Sequence, residues 1–357
     1  MGNCSPLNGI KVANFSWVGV GPQGIKYLAC WGAEVVRVES HRRPDMARLM
    51  LPFKDGISNV DRQPWFADIN GSTHSVGIDL NTPSGLDIAW KLIEWADVMA
   101  ESFTPGKMKK WGLDYESVIK EKPDIIYLST SQTGGTGPLA NFSGFGVHAA
   151  AMVHNISPIL MDYFVNGRSM IRRGNTLPYA APHNAYSCKG DDRWCAIAVM
   201  NDTQWNAFCE VVNQDWTGDS KFSTLLSRKK NEAELDMHIN EWTAKFTAED
   251  IEKRMQEAGV PCHVLENIED NYNDSQLKHR DFLPKLKHSV MGYHTYHKHG
   301  FKLSEAEGTW YAGPALGEHN EYVLKELLGM TDEEIADALI AGGITTDADL
   351  PVVRGVI

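Results

Sequence analysis

Within its first forty residues the chain runs strand, glycine turn, helix, strand, and no other feature limits its fold so strongly. Residues 10–15 form a short apolar run that reads as a strand. The run ends in Trp17-Val18-Gly19-Val20-Gly21-Pro22, and residues 23–31 follow with helical character. Gly32-Ala33 breaks that helix, and Glu34-Val35-Val36-Arg37-Val38-Glu39 is rich in β-branched residues, as strands are. Strands joined through a helix lie parallel, because a tight hairpin cannot connect them. The alternation continues with strands at 75–80, 97–101 and 124–129 and helices at 84–95 and 115–120. Four or five such repeats precede Gly134 and predict an α/β fold with a doubly wound, Rossmann-like large lobe.

After Asn175 the texture changes. Residues 186–199 read as a hairpin turning at Gly190-Asp191-Asp192. Helices are expected at 202–212, 235–245 and 248–258, with strands at 261–264 and within 291–299. Thr331-Asp332-Glu333-Glu334 fits a capping box that opens a late helix. The expected division is 1–185 for the first part of the large domain, 186–310 for a smaller α+β domain, and 311–357 for a C-terminal return to the large one.

The formal net charge of −12 argues against nucleic acid and anionic membrane surfaces as partners, but leaves room for a local basic patch that binds small anions. No apolar run has membrane length, and residues 1–10 lack the pattern of a signal peptide. The cysteines, Cys4, Cys30, Cys188, Cys195, Cys209 and Cys262, form no CxxC pair. They read as reduced thiols of a cytoplasmic protein.

The residues alone point to a possible anion site. Glycines after a first strand let a phosphate approach the backbone at a helix N-terminus, although the full GxGxxG pattern is absent and Pro22 removes one amide donor. Arg37, His41, Arg42, Arg43 and Arg48 cluster just after the second strand, where an anionic ligand would sit. For a cluster standing alone, a solvated surface patch is the preferred explanation. The tract His288, His294, His297, His299 matches no standard metal spacing, and strand alternation would split it between two faces, so no metal is expected. Neither GxSxG nor HExxH occurs.

Longer phrases carry the reading further. Leu7-Asn8-Gly9-Ile10-Lys11-Val12 leads to Gly21-Pro22, then to Trp31-Gly32-Ala33-Glu34-Val35-Val36-Arg37-Val38-Glu39 and Ile78-Asp79-Leu80. Asp97-Val98-Met99-Ala100-Glu101-Ser102-Phe103-Thr104-Pro105-Gly106, Trp111-Gly112-Leu113 and Pro123-Asp124-Ile125-Ile126-Tyr127-Leu128-Ser129 follow. Arg173-Gly174-Asn175, Ala181-Pro182-His183, Gly259-Val260-Pro261 and Leu316-Gly317-Glu318-His319-Asn320 complete the series. In this order they resemble the class III (CaiB/BaiF-like) coenzyme A transferases over nearly the whole chain. The resemblance implies a Rossmann-like large domain, a small domain, and two chains interlocked as a dimer. It also implies transfer of CoA from an acyl-CoA to a free carboxylate through an aspartyl nucleophile.

In the family that aspartate follows a stretch like Gly144-Phe145-Gly146-Val147-His148-Ala149-Ala150-Ala151-Met152. Here Val153-His154-Asn155-Ile156-Ser157 comes next, and tens of family residues are missing before Pro158. Asp162 is the least poor substitute, in a self-sufficient enzyme with a relocated carboxylate. The simplest implication is a non-catalytic subunit that shapes the active site of a paralogous partner, with the partner carrying the aspartate and CoA bound there, in the alternative by the partner alone; a CoA-binding scaffold without chemistry is the third reading. The resemblance places CoA contacts at Val18, Arg37, Asn70, His74, Ser102, Phe103 and Lys107, although Gly71-Ser72-Thr73-His74 and Ser102-Phe103 depart from the family pattern. The most similar branch acts in anaerobic aromatic degradation, with succinyl-CoA as donor and an acid such as benzylsuccinate as acceptor.

Overall fold

The computed structural model describes residues 5–131, 134–137, 140 and 150–351. The junction phrase from Gly144 to Ala149 lies outside the described residues. The chain divides into two compact units, residues 1–157 with 275–357, and residues 158–274.

The larger unit is built on five parallel strands, β1 (Lys11–Asn14), β2 (Glu34–Glu39), β3 (His74–Gly77), β4 (Val98–Glu101) and β5 (Ile126–Ser129). Their order is β3-β2-β1-β4-β5. The crossovers carry α1 (Val20–Cys30), α2 (Pro64–Ile69), α3 (Pro83–Trp95), and then α4 (Lys107–Lys110) with α5 (Tyr115–Glu121). Alternation along the central strands sends side chains to two covered faces. Val12, Val35, Val98 and Ala100 pack with Ile25 and Ala29 of α1. Ala13, Val36, Val38, Val76 and Met99 pack on the other side with Ile88, Ala89 and Leu92 of α3. Covering both faces explains why these strands read as continuous apolar runs. Each fully buried aliphatic side chain stabilises the fold by about 1.5–3 kcal/mol.

The order reverses between β1 and β4. In open α/β sheets the loops leaving the C-terminal ends of such strands splay apart, and a ligand crevice opens there.

In the smaller unit, α6 (Ala150–Asn166) leads in from the larger one. Strands β6 (His183–Ser187) and β7 (Trp194–Ala198) then form the expected hairpin. They are followed by α7 (Asp202–Val212), α8 (Leu225–Lys230), α9 (Glu232–Thr243) and α10 (Ala248–Glu257), and β8 (Cys262–Val264) pairs antiparallel with β7. Tyr186, Cys195, Ile197, Cys262 and Val264 face the helices and pack with Trp205, Phe208, Leu235, Ile239 and Met255. Helices α11 (Ile268–Asn273) and α12 (Ser275–His279) come next.

Residues 275–310 fall with the larger unit, whereas the sequence placed them in the smaller domain. The reason is a second hairpin, β9 (Lys285–His288) with β10 (Gly292–Thr295). Beside it, Met291 and Tyr296 pack against Ala67 of α2. Beyond it, a π-helical stretch (Tyr322–Leu327) supplies Val323 and Leu324 to the main core. Helix α13 (Asp332–Ile340) opens with the capping box of Thr331 and Glu334. Ile344 then bridges to Ile78 at the end of β3. Among the described residues no helix is long and apolar enough to cross a membrane, and no group of three or more His, Cys, Asp or Glu residues is placed to hold a metal ion.

Candidate ligand groove at the sheet switch point

A groove of about 1410 Å³ opens where β1 and β4 part. Typical pockets for drug-sized ligands hold about 300–1,000 Å³, so this one has room for a large, extended ligand. Its floor is the turn Trp17–Gly21 and the loop Ser102–Thr104; its walls include Arg42, Arg43, Met46, Leu49, Trp65, Lys107 and Trp111.

Two clamps shape the turn. The Trp17 amide donates to Ser102 Oγ at 2.8 Å, and that hydroxyl donates to Trp17 O at 3.1 Å. The Val18 amide donates to Asp45 Oδ2 at 2.9 Å. Val18 is thereby held at φ 63°. A β-branched residue adopts this left-handed conformation at a cost of about 1–3 kcal/mol, and such strain collects at ligand sites. The turn aims the uncapped start of α1 into the groove, where the Val20 and Gly21 amides and the positive end of the helix dipole favour an anion.

Behind the turn lies a buried ion network. Arg37, fully buried, donates to Ser16 O at 2.9 Å, to Asn70 Oδ1 at 2.8 Å and to the Asp45 carboxylate. Arg48 binds both oxygens of Glu39, at 2.9 and 2.8 Å, and reaches Asp61 at 2.8 Å. Burial alone would raise the Glu39 carboxyl, but the Arg48 and Arg37 charges and hydrogen bonds from Arg48 and Ser75 hold it at about 2. Among the described residues, Glu39 and Asp79 are the carboxylates that line the groove. Asp79 is likewise engaged, by the Asn81 amide at 3.0 Å and by Arg42 at 3.0 Å. Burial would raise the Asp79 carboxyl, yet these bonds keep it below the usual carboxylate range. Neither carboxylate is free to attack a ligand.

The basic cluster therefore splits. Arg37, Arg48 and His41 are buried; Arg42 pairs with Asp79 and Asp349. Arg43 and Lys107 make no ion pair among the described residues, and both line the groove. The Lys107 ammonium stands 4.5 Å from the Trp111 ring centroid, and Phe103 packs edge-on to that ring and tilted to Trp17. The cleft thus offers cations and backbone amides for phosphates, and aromatic faces for a base.

Of the residues singled out in the sequence, Val18, Ser102, Phe103 and Lys107 meet in this groove. Arg37 and Asn70 touch each other behind it and do not line it. His74 lies elsewhere: it opens β3, at the opposite edge of the sheet, with its ring 4.7 Å from His319 and 5.0 Å from Tyr322. Its distance from the groove follows from the direction of the strand. Sequence reasoning missed Asp45 and Trp65, whose roles depend on loops with no periodic signal. Asp162 belongs to the smaller unit; its carboxylate accepts from Asn166 at 2.6 Å and faces Arg168 at 3.5 Å.

The histidine tract disperses into structural posts. His288 Nδ1 accepts from the Val290 and Met291 amides at 3.0 and 3.2 Å and caps the β9–β10 turn. Burial pushes His288 down from 6.5 to about 4, and burial, Lys26 and His297 do the same to His299. Both are neutral when folded, so their contribution is complete above pH 6.5 and is lost as pH falls toward 4. His288→Asn keeps an acceptor for the two amides. It is expected to flatten the fall in Tm over this range, as measured by thermal melts at stepped pH.

The sequence model of CoA-transferase family III matches residues 7–153 and 147–320. The succinyl-CoA–D-citramalate CoA-transferase of Chloroflexus aurantiacus is 25% identical, with 93% of this chain and 96% of that protein covered. Human succinyl-CoA:glutarate CoA-transferase is 24% identical, with 96% and 90% covered. A crystal structure of a CAIB/BAIF family protein from Brucella suis shares the fold, at a TM-score of 0.79 and 24% identity over 91% of this chain and 100% of that one. With its parallel sheet and switch-point groove, the chain belongs to CoA-transferase family III.

Proposed function

We propose that this chain is the non-catalytic subunit of a heteromeric CoA-transferase, holding CoA in the switch-point groove while a paralogous partner supplies the nucleophilic aspartate. One observation carries the reading. The sequence holds no Asp or Glu between Asp124 and Asp162, the region where the family keeps its nucleophile. Among the described residues the groove offers no replacement, because Glu39 and Asp79 are bound to arginines. Two facts from the comparisons support the loss of a segment. The family match comes in two pieces that meet at residues 147–153. The alignment with the Chloroflexus enzyme also runs over 398 positions, against 357 residues in this chain.

In this reading Val18, Ser102, Phe103 and Lys107 contact CoA, with Arg37 and Asn70 bracing the turn from behind; His74 takes no part. The reaction itself belongs to the partner. Its aspartate attacks the acyl-CoA carbonyl and releases CoA thiolate, leaving a mixed anhydride. The thiolate then attacks the aspartyl carbonyl of the anhydride, freeing the donor acid and leaving an aspartyl-CoA thioester. The acceptor carboxylate attacks that thioester and expels CoA thiolate, which then attacks the acceptor-side carbonyl of the resulting anhydride, giving the new acyl-CoA and freeing the aspartate. The named relatives pair a CoA donor with citramalate or glutarate. By analogy succinyl-CoA is the donor here, and a free carboxylic acid such as benzylsuccinate the acceptor. The chains interlock as in the family, in the cytoplasm.

Assaying CoA transfer with the purified chain, alone and co-expressed with an aspartate-bearing paralogue, tests this. Activity is expected only from the pair. Full activity of the isolated chain would overturn the proposal and favour a relocated carboxylate, with Asp162 the first to examine by hydroxylamine trapping.

A further inference from the structure

The last described turn of the chain sits at the rim of the groove and occupies one of its cations. Ile344 and Thr345 are buried. The Thr345 amide donates to Gly77 O at 2.9 Å, and Thr345 Oγ1 accepts the His41 amide at 3.1 Å, so the segment is anchored beside β3. A single 3₁₀ turn follows, Asp347–Asp349, and Pro351 beyond it lines the groove. In that turn Asp349 Oδ2 accepts from the Thr346 amide at 3.0 Å, while Oδ1 faces Arg42. The Thr346 amide, and after it Arg42, hold the Asp349 carboxyl below its usual range, so it is charged at neutral pH.

The bonds of Arg42 show what the turn withholds. Nη1 donates to Asp79 Oδ2 and to Gly342 O, both at 3.0 Å. Asp349 takes the other edge, where Nε and Nη2 both donate to Oδ1, at 3.3 and 3.2 Å. With such an edge an arginine grips two oxygens of a phosphate at once. Here the edge meets a single oxygen at long range, the other being turned to the Thr346 amide. Arginine–phosphate bonds run at about 2.7–2.9 Å. Arg42 lines the groove with its side chain 40% exposed, so a phosphate bound there is the better partner for the same edge.

We propose that Asp349 is a tethered counter-ion that competes with the groove's phosphate-bearing ligand for Arg42. Binding the ligand frees the C-terminal turn, and a turn held in place weakens the ligand, because coupling between two bound groups is reciprocal. Arg43 and Lys107, which also line the groove, make no ion pair among the described residues, so the turn acts through Arg42. The inference rests on the reading of the groove as a CoA site.

Calorimetric titration of the full chain with CoA tests it. Asp349→Asn removes the charge and keeps an acceptor for the Thr346 amide. It is expected to tighten CoA about two- to fivefold, the worth of one exposed ion pair, with the gain fading as added salt screens it. Asp347→Asn removes the same charge from the same turn. Asp347 faces His41 at 3.5 Å rather than Arg42, so this variant is expected to change little. Adding Arg42→Gln to Asp349→Asn is expected to abolish the gain, because the two act through one contact. Hydrogen exchange reads the reciprocal effect. The Asp349 and Leu350 amides bond to Thr346 O and Asp347 O at 2.8 and 3.2 Å, and CoA is expected to speed their exchange. Unchanged or weaker CoA binding by Asp349→Asn, an equal gain from Asp347→Asn, or exchange that CoA leaves unchanged or slows would overturn the inference while leaving the groove reading intact. Failure of both wild type and Asp349→Asn to bind CoA would overturn the groove reading, and this inference with it.

Discussion

Arg48→Met is expected to lower the stability of the fold by about 3–5 kcal/mol, because removing one partner strands a buried charge. Arg48 and Glu39 are both essentially inaccessible, and Arg48 gives Glu39 two of its hydrogen bonds. The Arg37 Nε stands 3.5 Å from the same carboxylate, too far to take over the lost bonds. Arg48 also holds Asp61 and the Pro314 carbonyl, so the loop after β2 loses its tie to the C-terminal segment. Urea titration with an unchanged m-value reads the loss. Replacing Glu39 by leucine in the same chain is expected to recover much of it, since apolar side chains of similar volume can substitute for a buried pair. If the single variant melts within a degree of wild type, the network is not what holds the groove floor.

Gly21→Ala is expected to damage the site more than the fold. A Cβ at position 21 would fall 2.4 Å from Ser16 Cβ and 3.2 Å from Ser102 Cβ. Ser102 is the clamp on Trp17, so the clash pushes on the element that shapes the turn. Overpacking of this kind costs about 1–3 kcal/mol. If that cost falls on the ligand-binding conformation, CoA affinity drops by about ten- to a hundredfold. A titration with CoA on Gly21→Ala, with Gly24→Ala as a control whose Cβ meets open space, gives the comparison.

The sheet was legible because its strands are interior and parallel. Val35-Val36 and Val98-Met99 are buried on both faces, so the apolar runs stand out without any knowledge of what they pack against. The glycine turn was legible as a turn between β1 and α1 for the same local reason. The basic cluster was not. Arg37 and Arg48 look like an anion site in sequence, but the acids that claim them, Glu39, Asp45 and Asp61, lie on the same strand and the loop after it. Only the fold decides whether an arginine meets a ligand or a neighbour. The Gln23–His297 contact joins residues 274 positions apart, and no periodicity records it. The β9 strand escaped because Lys285-Leu286-Lys287-His288 holds no β-branched residue.

The central claim is that this chain holds CoA without forming a bond to it. Mass spectrometry of the purified chain after incubation with succinyl-CoA, under native and then denaturing conditions, tests it most directly. The account predicts one CoA-sized ligand on the native chain that disappears on denaturation. A CoA or succinyl adduct that survives denaturation on an Asp or Glu of this chain would contradict it.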